Sequence, residues 1–273
     1  MIFRVTCLQF EFEAKDPVLF PPGKAGNTFR GALGSTLHDT AYARLFAPRG
    51  AGAGPSGFDD RPRPFVLRAS PLDGRRFEPG GRFTLDVNSF EPEAPVLEAF
   101  RMAFQRLSKE GLGANRARVE LLRAVRTDTI AIDLAAPAID VSAIRVRFVT
   151  PMELKFGGET VREPRFDVLF PRVRDRVSSL CLLYQGGEPE LDYRALGDRA
   201  RAVTMTGARV EQIEVERLSS RTGQRHGLGG FIGEADYAGD LGEFLPWLQA
   251  AEWTGAGRYT VWGNGALLVS RPD

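Results

Sequence analysis

The side chains best suited to move a proton near neutral pH are two histidines, His38 and His226. An imidazole with an unperturbed pKa of about 6.5 serves there as acid or base. His38 stands four residues before Tyr42, a spacing that lets two side chains share one face of a helix. It also follows apolar Leu37 and precedes Asp39, so a solvated helix position is the alternative. His226 lies in Arg221-Thr-Gly-Gln-Arg225-His226-Gly, a basic turn that can set Arg225 and His226 against an anion or leave them in solvent. The cysteines, Cys7 and Cys181, show no CxxC spacing and are too few for a disulfide framework. Even joined with the two histidines they offer one zinc site at most, so no metal and no cofactor is expected.

A second kind of chemistry is written in Gly255-Ala-Gly257-Arg258-Tyr259-Thr-Val-Trp262-Gly263-Asn-Gly265. Glycine admits positive φ and leaves no side chain between backbone and ligand, so such a loop lets main-chain N–H groups approach a phosphate, with Arg258 as counter-charge. No Gly-Lys-Ser/Thr follows, which excludes a P-loop. A dinucleotide fingerprint needs a preceding strand and a following helix, the reverse of this context. A ligand-free hairpin turn is the alternative. Tyr259 and Trp262 could stack a base or pack beneath the loop.

The elements that must position these residues follow from hydropathy. A chain of 273 residues suggests about two domains. Charged residues, 26% of the total, interrupt every apolar stretch before the roughly 18 residues of a membrane span, and the first residues do not read as a signal peptide, so a cytoplasmic protein without a membrane partner is expected. The net charge of +1 gives no global sign of a nucleic-acid partner. Charge is nevertheless segregated. Gly227 to Gly257 contains no Lys or Arg beside Glu234, Asp236, Asp240, Glu243 and Glu252, whereas Arg101 to Arg126 is basic.

Alternation from Phe3 to Ala14 predicts a strand, and Asn27 or Thr28 can cap a helix carrying Phe29, Leu33, Leu37 and Ala41. Pro48 to Pro64 reads as a mobile loop. Strands at Phe65 to Ser70 and Arg82 to Phe90, a helix at Pro95 to Leu107 and a strand at Arg118 to Arg126 complete a βαββαβ order, the ferredoxin-like plan. A second such unit begins near Ser142. It comprises a strand at Arg145 to Phe148, a helix at Glu163 to Tyr184, a strand pair at Val210 to Leu218 and Gly230 to Tyr237, a helix at Phe244 to Ala251 and a strand at Ala266 to Val269. The expected fold is α+β, two tandem ferredoxin-like (RRM-like) domains over 1–140 and 141–273, the second with the C-terminal Gly-rich loop. Arg172, Arg174 and Arg176 fall on the expected wet face of the long helix.

That loop, together with Gly230-Phe-Ile-Gly233-Glu234-Ala-Asp-Tyr237, Leu154-Lys155-Phe-Gly157-Gly158, Gly111-Leu-Gly113-Ala-Asn-Arg116 and Thr28-Phe-Arg30-Gly31-Ala-Leu-Gly34, resembles the CRISPR-associated RAMP-superfamily endoribonucleases that process precursor CRISPR RNA. The likeness covers nearly the whole chain, least at Arg49 to Arg63. It implies metal-independent cleavage of CRISPR repeat RNA, with attack of a ribose 2′-OH on the adjacent phosphate and products ending in 2′,3′-cyclic phosphate and 5′-OH. It implies repeat RNA as partner and admits other interference-complex subunits and a homodimer.

Transferred by position, the resemblance makes His38, Tyr42 and Lys24 the catalytic candidates, with Lys24 and Arg30 near the developing phosphorane charge. The RNA-contact candidates are Arg30, Arg116, Lys155, Arg225, His226, Gly255, Gly257, Arg258, Gly263 and Gly265. A catalytically silent RAMP subunit that holds guide RNA is the principal alternative. A ferredoxin-like module for a small ligand is a weaker one.

Overall fold

The computed structural model describes residues 1–37, 43–46, 61–92, 95–137, 139–214, 216–218, 225–227 and 229–272. His38, Ala41, Tyr42 and most of the Pro48 to Pro64 segment lie outside the described residues.

By its contacts the chain divides into two units. The N-terminal unit comprises Arg4–Ala131 with Val261–Gly263, and the C-terminal unit comprises Met1–Phe3, Ile132–Thr260 and Asn264–Asp273. Each is an α+β ferredoxin-like unit.

In the N-terminal unit, strand β1 (Ile2–Ala14) is followed by helix α1 (Ala25–Leu37), β2 (Phe65–Arg68), β3 (Arg82–Ser89), α2 (Val96–Gln105) and β4 (Val119–Asp133). The sheet order is β2-β3-β1-β4, with β1 antiparallel to β3 from Thr6 opposite Ser89 to Glu13 opposite Arg82. Even-numbered β1 residues Leu8, Phe10, Phe12 and Ala14 join the core, because successive strand side chains take opposite faces. They meet Phe29 and Leu33 of α1 and Phe100 and Phe104 of α2, and Phe10 and Phe104 pack edge to face at 4.9 Å.

Helix α1 starts earlier than its sequence suggests. Asn27 and Thr28 lie inside it, and the cap comes from a distant turn, where Asp73 Oδ1 accepts the Ala25 N–H at 2.9 Å. A carboxylate outside the helix satisfies an orphan N–H of the first turn as well as a local cap would. Strand β4 runs seven residues past Arg126. It lies at the sheet edge with much of both faces exposed, so no alternation marks its extent.

The C-terminal unit repeats the plan with β5 (Ala143–Met152), α3 (Phe166–Tyr184), an extra α4 (Tyr193–Ala202), β6 (Thr204–Ile213), β7 (Gly230–Ala238), α5 (Leu245–Thr254) and β8 (Leu267–Ser270). Its order is β6-β7-β5-β8. Phe166, Phe170, Tyr237 and Phe244 form the aromatic centre, Phe170 and Phe244 at 4.6 Å, and the Tyr237 hydroxyl donates to the Pro164 carbonyl at 2.5 Å.

Two sequence expectations change here. The strand expected at Val210 to Leu218 is instead β6, starting at Thr204, and Glu216–Leu218 pairs separately with Arg225–Gly227. An exposed edge strand carries no hydrophobic alternation to announce it. Helix α4 carries only Leu196 and Ala200 as buried residues, too narrow a stripe to read, although Asp192 caps it by accepting the Ala195 N–H at 2.9 Å.

The third correction concerns Arg174 and Arg176, which are not on a wet face. Arg174 donates to the Tyr193 carbonyl and pairs with Asp175 at 2.7 Å, and Arg176 donates to the Thr254 carbonyl at 2.8 Å. Helices α4 and α5 cover that side of α3, and burial pushes the Arg176 guanidinium down to about 10. Among the described residues no helix is long and apolar enough to cross a membrane.

Candidate nucleic-acid interface

In the N-terminal unit the candidates gather around the start of α1. Lys24 immediately precedes the helix, and its own N–H donates to the Pro21 carbonyl at 3.0 Å. One turn later Thr28 donates its hydroxyl back to the Lys24 carbonyl at 3.0 Å. The Gly111-to-Ala117 turn lies against Thr28, since a Cβ on Gly113 would stand 3.4 Å from its Cγ2. Arg116 closes that turn at φ 49° with its side chain exposed, and Leu112 bridges to Ala117. Gly111 is required there, because a Cβ would lie 2.1 Å from the Arg116 carbonyl oxygen.

Arg30 lies further along α1. Its guanidinium lies 4.4 Å over the ring of Trp262, which packs half-buried against the N-terminal core. Gly26 makes this approach possible, since any Cβ would meet the Trp262 carbonyl oxygen at 1.9 Å.

The glycine loop opens as the cap of α5, where the Gly255 N–H donates to Ala251 and the chain turns at φ 66°. The Ala256 N–H donates to Gly265 and the Gly265 N–H to Pro151, both at 2.9 Å, and the Arg258 N–H donates to Glu153 at 3.1 Å. A Cβ on Gly257 would lie 2.5 Å from the Glu153 carbonyl oxygen, and one on Gly265 1.9 Å from that of Ala256. These glycines therefore serve close backbone packing, and the amides of Gly255 and Gly265 are spent inside the fold. What the loop offers an anion is the half-exposed Arg258, which pairs with Glu153 at 2.8 Å and lies 4.9 Å from the Tyr259 ring. The Glu153 hydrogen bond raises the Arg258 pKa above its ordinary value. Gly263 belongs with the N-terminal unit, where a Cβ would meet the Leu67 carbonyl oxygen at 2.6 Å.

Glu153 also leads into a hairpin of Lys155–Phe156 against Glu159–Thr160. Lys155 is exposed, and its carbonyl accepts from Arg172 at 3.2 Å. Lys155 and Arg258 thus flank the same short segment of the C-terminal unit. Arg225 and His226 are described in backbone alone, opposite Leu218 and Arg217. Sequence reasoning missed Phe156. Its signal was an aromatic residue directly before a Gly-Gly turn in a hairpin too short to bury it.

The charge segregation of the sequence largely dissolves in the fold. The acidic stretch is answered by distant arginines, Arg209 to Glu234, Arg145 to Asp236 and Arg199 to Glu243. In the basic stretch, Arg101 pairs with Glu98, Arg118 with Asp16, and Arg106 donates to the Thr36 carbonyl. Among the described residues no three His, Cys, Asp or Glu side chains cluster as a metal site.

Residues 146–267 match the model of the CRISPR-associated endoribonuclease Cas6. Those residues, fewer than half of the 273-residue chain, resemble the Cas6 family. The likeness to RAMP-type enzymes that process precursor CRISPR RNA therefore holds, and the coarse activity of the family is cleavage of CRISPR RNA. Residues 3–132 match a second family model, described as an N-terminal domain. No curated protein matches the chain. Among solved structures, Thermus thermophilus Cas6 is 18% identical over 97% of this chain and 98% of that one, with a TM-score of 0.62. A Cas6 product complex is 20% identical over 98% and 100%, with a TM-score of 0.63. A RAMP protein binding different RNA substrates is 13% identical over 97% and 100%, with a TM-score of 0.50. At these identities the likeness is one of fold, and it places the Cas6 region on the ferredoxin unit that carries Lys155 and Arg258.

Proposed function

We propose that the chain is a metal-independent endoribonuclease that cuts CRISPR repeat RNA once per repeat. One observation carries the reading: the Cas6-family match falls on residues 146–267, the ferredoxin unit whose glycine loop and Lys155 segment are packed together.

The reaction forms the bond from the ribose O2′ to phosphorus and breaks the bond from phosphorus to O5′. A base removes the 2′-OH proton, an acid protonates the leaving O5′, and a cation offsets the charge gathered on the phosphorane oxygens. His38 is the acid–base candidate, Tyr42, four residues on in sequence, its partner, and Lys24 the cation. The products are a 2′,3′-cyclic phosphate and a 5′-OH. Arg116, Lys155 and Arg258 are assigned to the phosphate backbone, which contributes affinity without sequence preference. Other CRISPR-associated subunits and a second copy of the chain are proposed as further partners.

The test is incubation of wild-type and His38→Ala protein with the organism's own repeat RNA in EDTA, with both product ends mapped. The expected result is a single cut leaving a cyclic phosphate, lost in the variant while binding persists. Binding without cleavage by the wild type would make the protein an RNA-holding subunit instead.

A further inference from the structure

We infer that Phe156 is a stacking platform for one unpaired base of the bound RNA, an inference that rests on the RNA-cleaving function proposed above. The chain holds 19 Phe, 5 Tyr and 3 Trp, and Phe156, at 55% exposure, is the one exposed aromatic among the described residues. Trp262 and Tyr259 are only partly exposed, with arginines 4.4 Å and 4.9 Å from their rings.

The ring is held out on a stiff support. Gly157 and Gly158 turn at φ 60° and 88°, a tight reversal that other residues make at a cost. Lys155 stands opposite Thr160 and Phe156 opposite Glu159, and the Val161 N–H donates to Leu154 at 3.0 Å below them. Arg172 ties the Lys155 carbonyl to α3, and Gln212 of β6 donates to the Arg162 carbonyl at 3.0 Å. A Cβ on either glycine would meet nothing within 4 Å, so space over the tip is open.

The surroundings suit a nucleotide. The Arg165 guanidinium lies 5.8 Å from the ring centroid, held by Asp167, and Lys155 and Arg162 are exposed beside it. Glu159, Glu163 and Asp167 balance these three cations, so the named charges sum to zero and the π-face carries the recognition. Every base has a π-face, and stacking on an aromatic side chain tolerates any sequence. Position adds direction, because Glu153, three residues before Phe156, holds Arg258 at 2.8 Å. The stacked base is assigned to the nucleotide next to a phosphate held by Arg258 or Lys155.

The experiment measures repeat-RNA affinity for wild type, Phe156→Ala, Phe156→Leu and Phe156→Trp, using RNAs that carry 2-aminopurine at successive unpaired positions. Unchanged thermal melts confirm that the exposed substitutions leave the fold intact. Phe156→Ala should weaken binding about 10-fold to 100-fold and abolish the fluorescence quench at one position. Phe156→Trp should retain both, and Phe156→Leu should behave as Ala does. Wild-type affinity in Phe156→Ala, or full rescue by Leu, would overturn the inference and leave the proposed function standing. A wild-type protein that binds no repeat RNA would overturn that function and the inference with it.

Discussion

Arg30 lies with its guanidinium 4.4 Å over the ring of Trp262, so a side chain on the first helix is joined to one far along the sequence in the glycine loop. Such a contact contributes about 1 kcal/mol at a partly exposed site. A double-mutant cycle of Arg30→Ala and Trp262→Ala, followed by urea unfolding, should give a coupling of about that size. Arg30→Lys should recover only part of it, because an ammonium lacks the planar face that stacks. Additive single effects would show the pair to be energetically independent.

The loop glycines should sort by the space above them. Gly265→Ala drives a Cβ to 1.9 Å from a carbonyl oxygen at φ 69°, and Gly257→Ala to 2.5 Å at φ 78°. Each should cost about 3 kcal/mol or displace the loop. Gly157→Ala, at φ 60° with nothing within 4 Å, should cost about 1 kcal/mol. Equal losses at all three in chemical denaturation would show that backbone conformation alone sets the cost.

Asp16 and Arg118 should give acid sensitivity of known sign. Bidentate hydrogen bonding to Arg118 holds the Asp16 carboxyl down at about 2. A carboxylate whose folded pKa is depressed stabilises the fold above its ordinary value near 3.9 and loses that contribution as pH falls toward 2. Wild type should therefore melt higher than Asp16→Asn at pH 6, with the gap closing between about pH 4 and pH 2. The pair is exposed, so the gap is small and shrinks in high salt. A gap that persists at pH 2 would assign the effect to packing.

Cleavage should titrate with the histidine. If His38 is the base, the single-turnover rate in EDTA rises with pH as the imidazole loses its proton, and His38→Ala loses about 100-fold to 10,000-fold with RNA affinity retained. A flat pH profile would move the acid–base role away from imidazole.

Asp73 should fix the start of α1. Asp73→Ala removes the acceptor for the Ala25 N–H and should cost about 1 kcal/mol, with faster amide exchange at Ala25. Protection unchanged at that amide would show that the first turn, beside Lys24, forms without the cap.

The sequence by itself determined the periodic elements and their order. Phe10 and Phe12 on β1, Phe100 and Phe104 on α2, and the apolar positions of α3 recur at spacings that follow from burying one face, and βαββαβ twice over leads to two ferredoxin-like units. The glycine and lysine segments of the Cas6 region were legible too, since turns and charges are local features. Tertiary structure decided what local pattern does not encode. Strand β6 begins six residues before its expected start and helix α4 escaped notice, because an edge strand and a narrowly buried helix carry little hydrophobic signal. Asp73 replaced Asn27 as a cap because a helix end accepts any well-placed carboxylate, however distant in sequence. Arg30 stacks on Trp262 and Phe156 stands in solvent for the same reason: whether an aromatic ring is buried depends on which other element arrives to cover it, and only the folded chain brings that element or leaves it away.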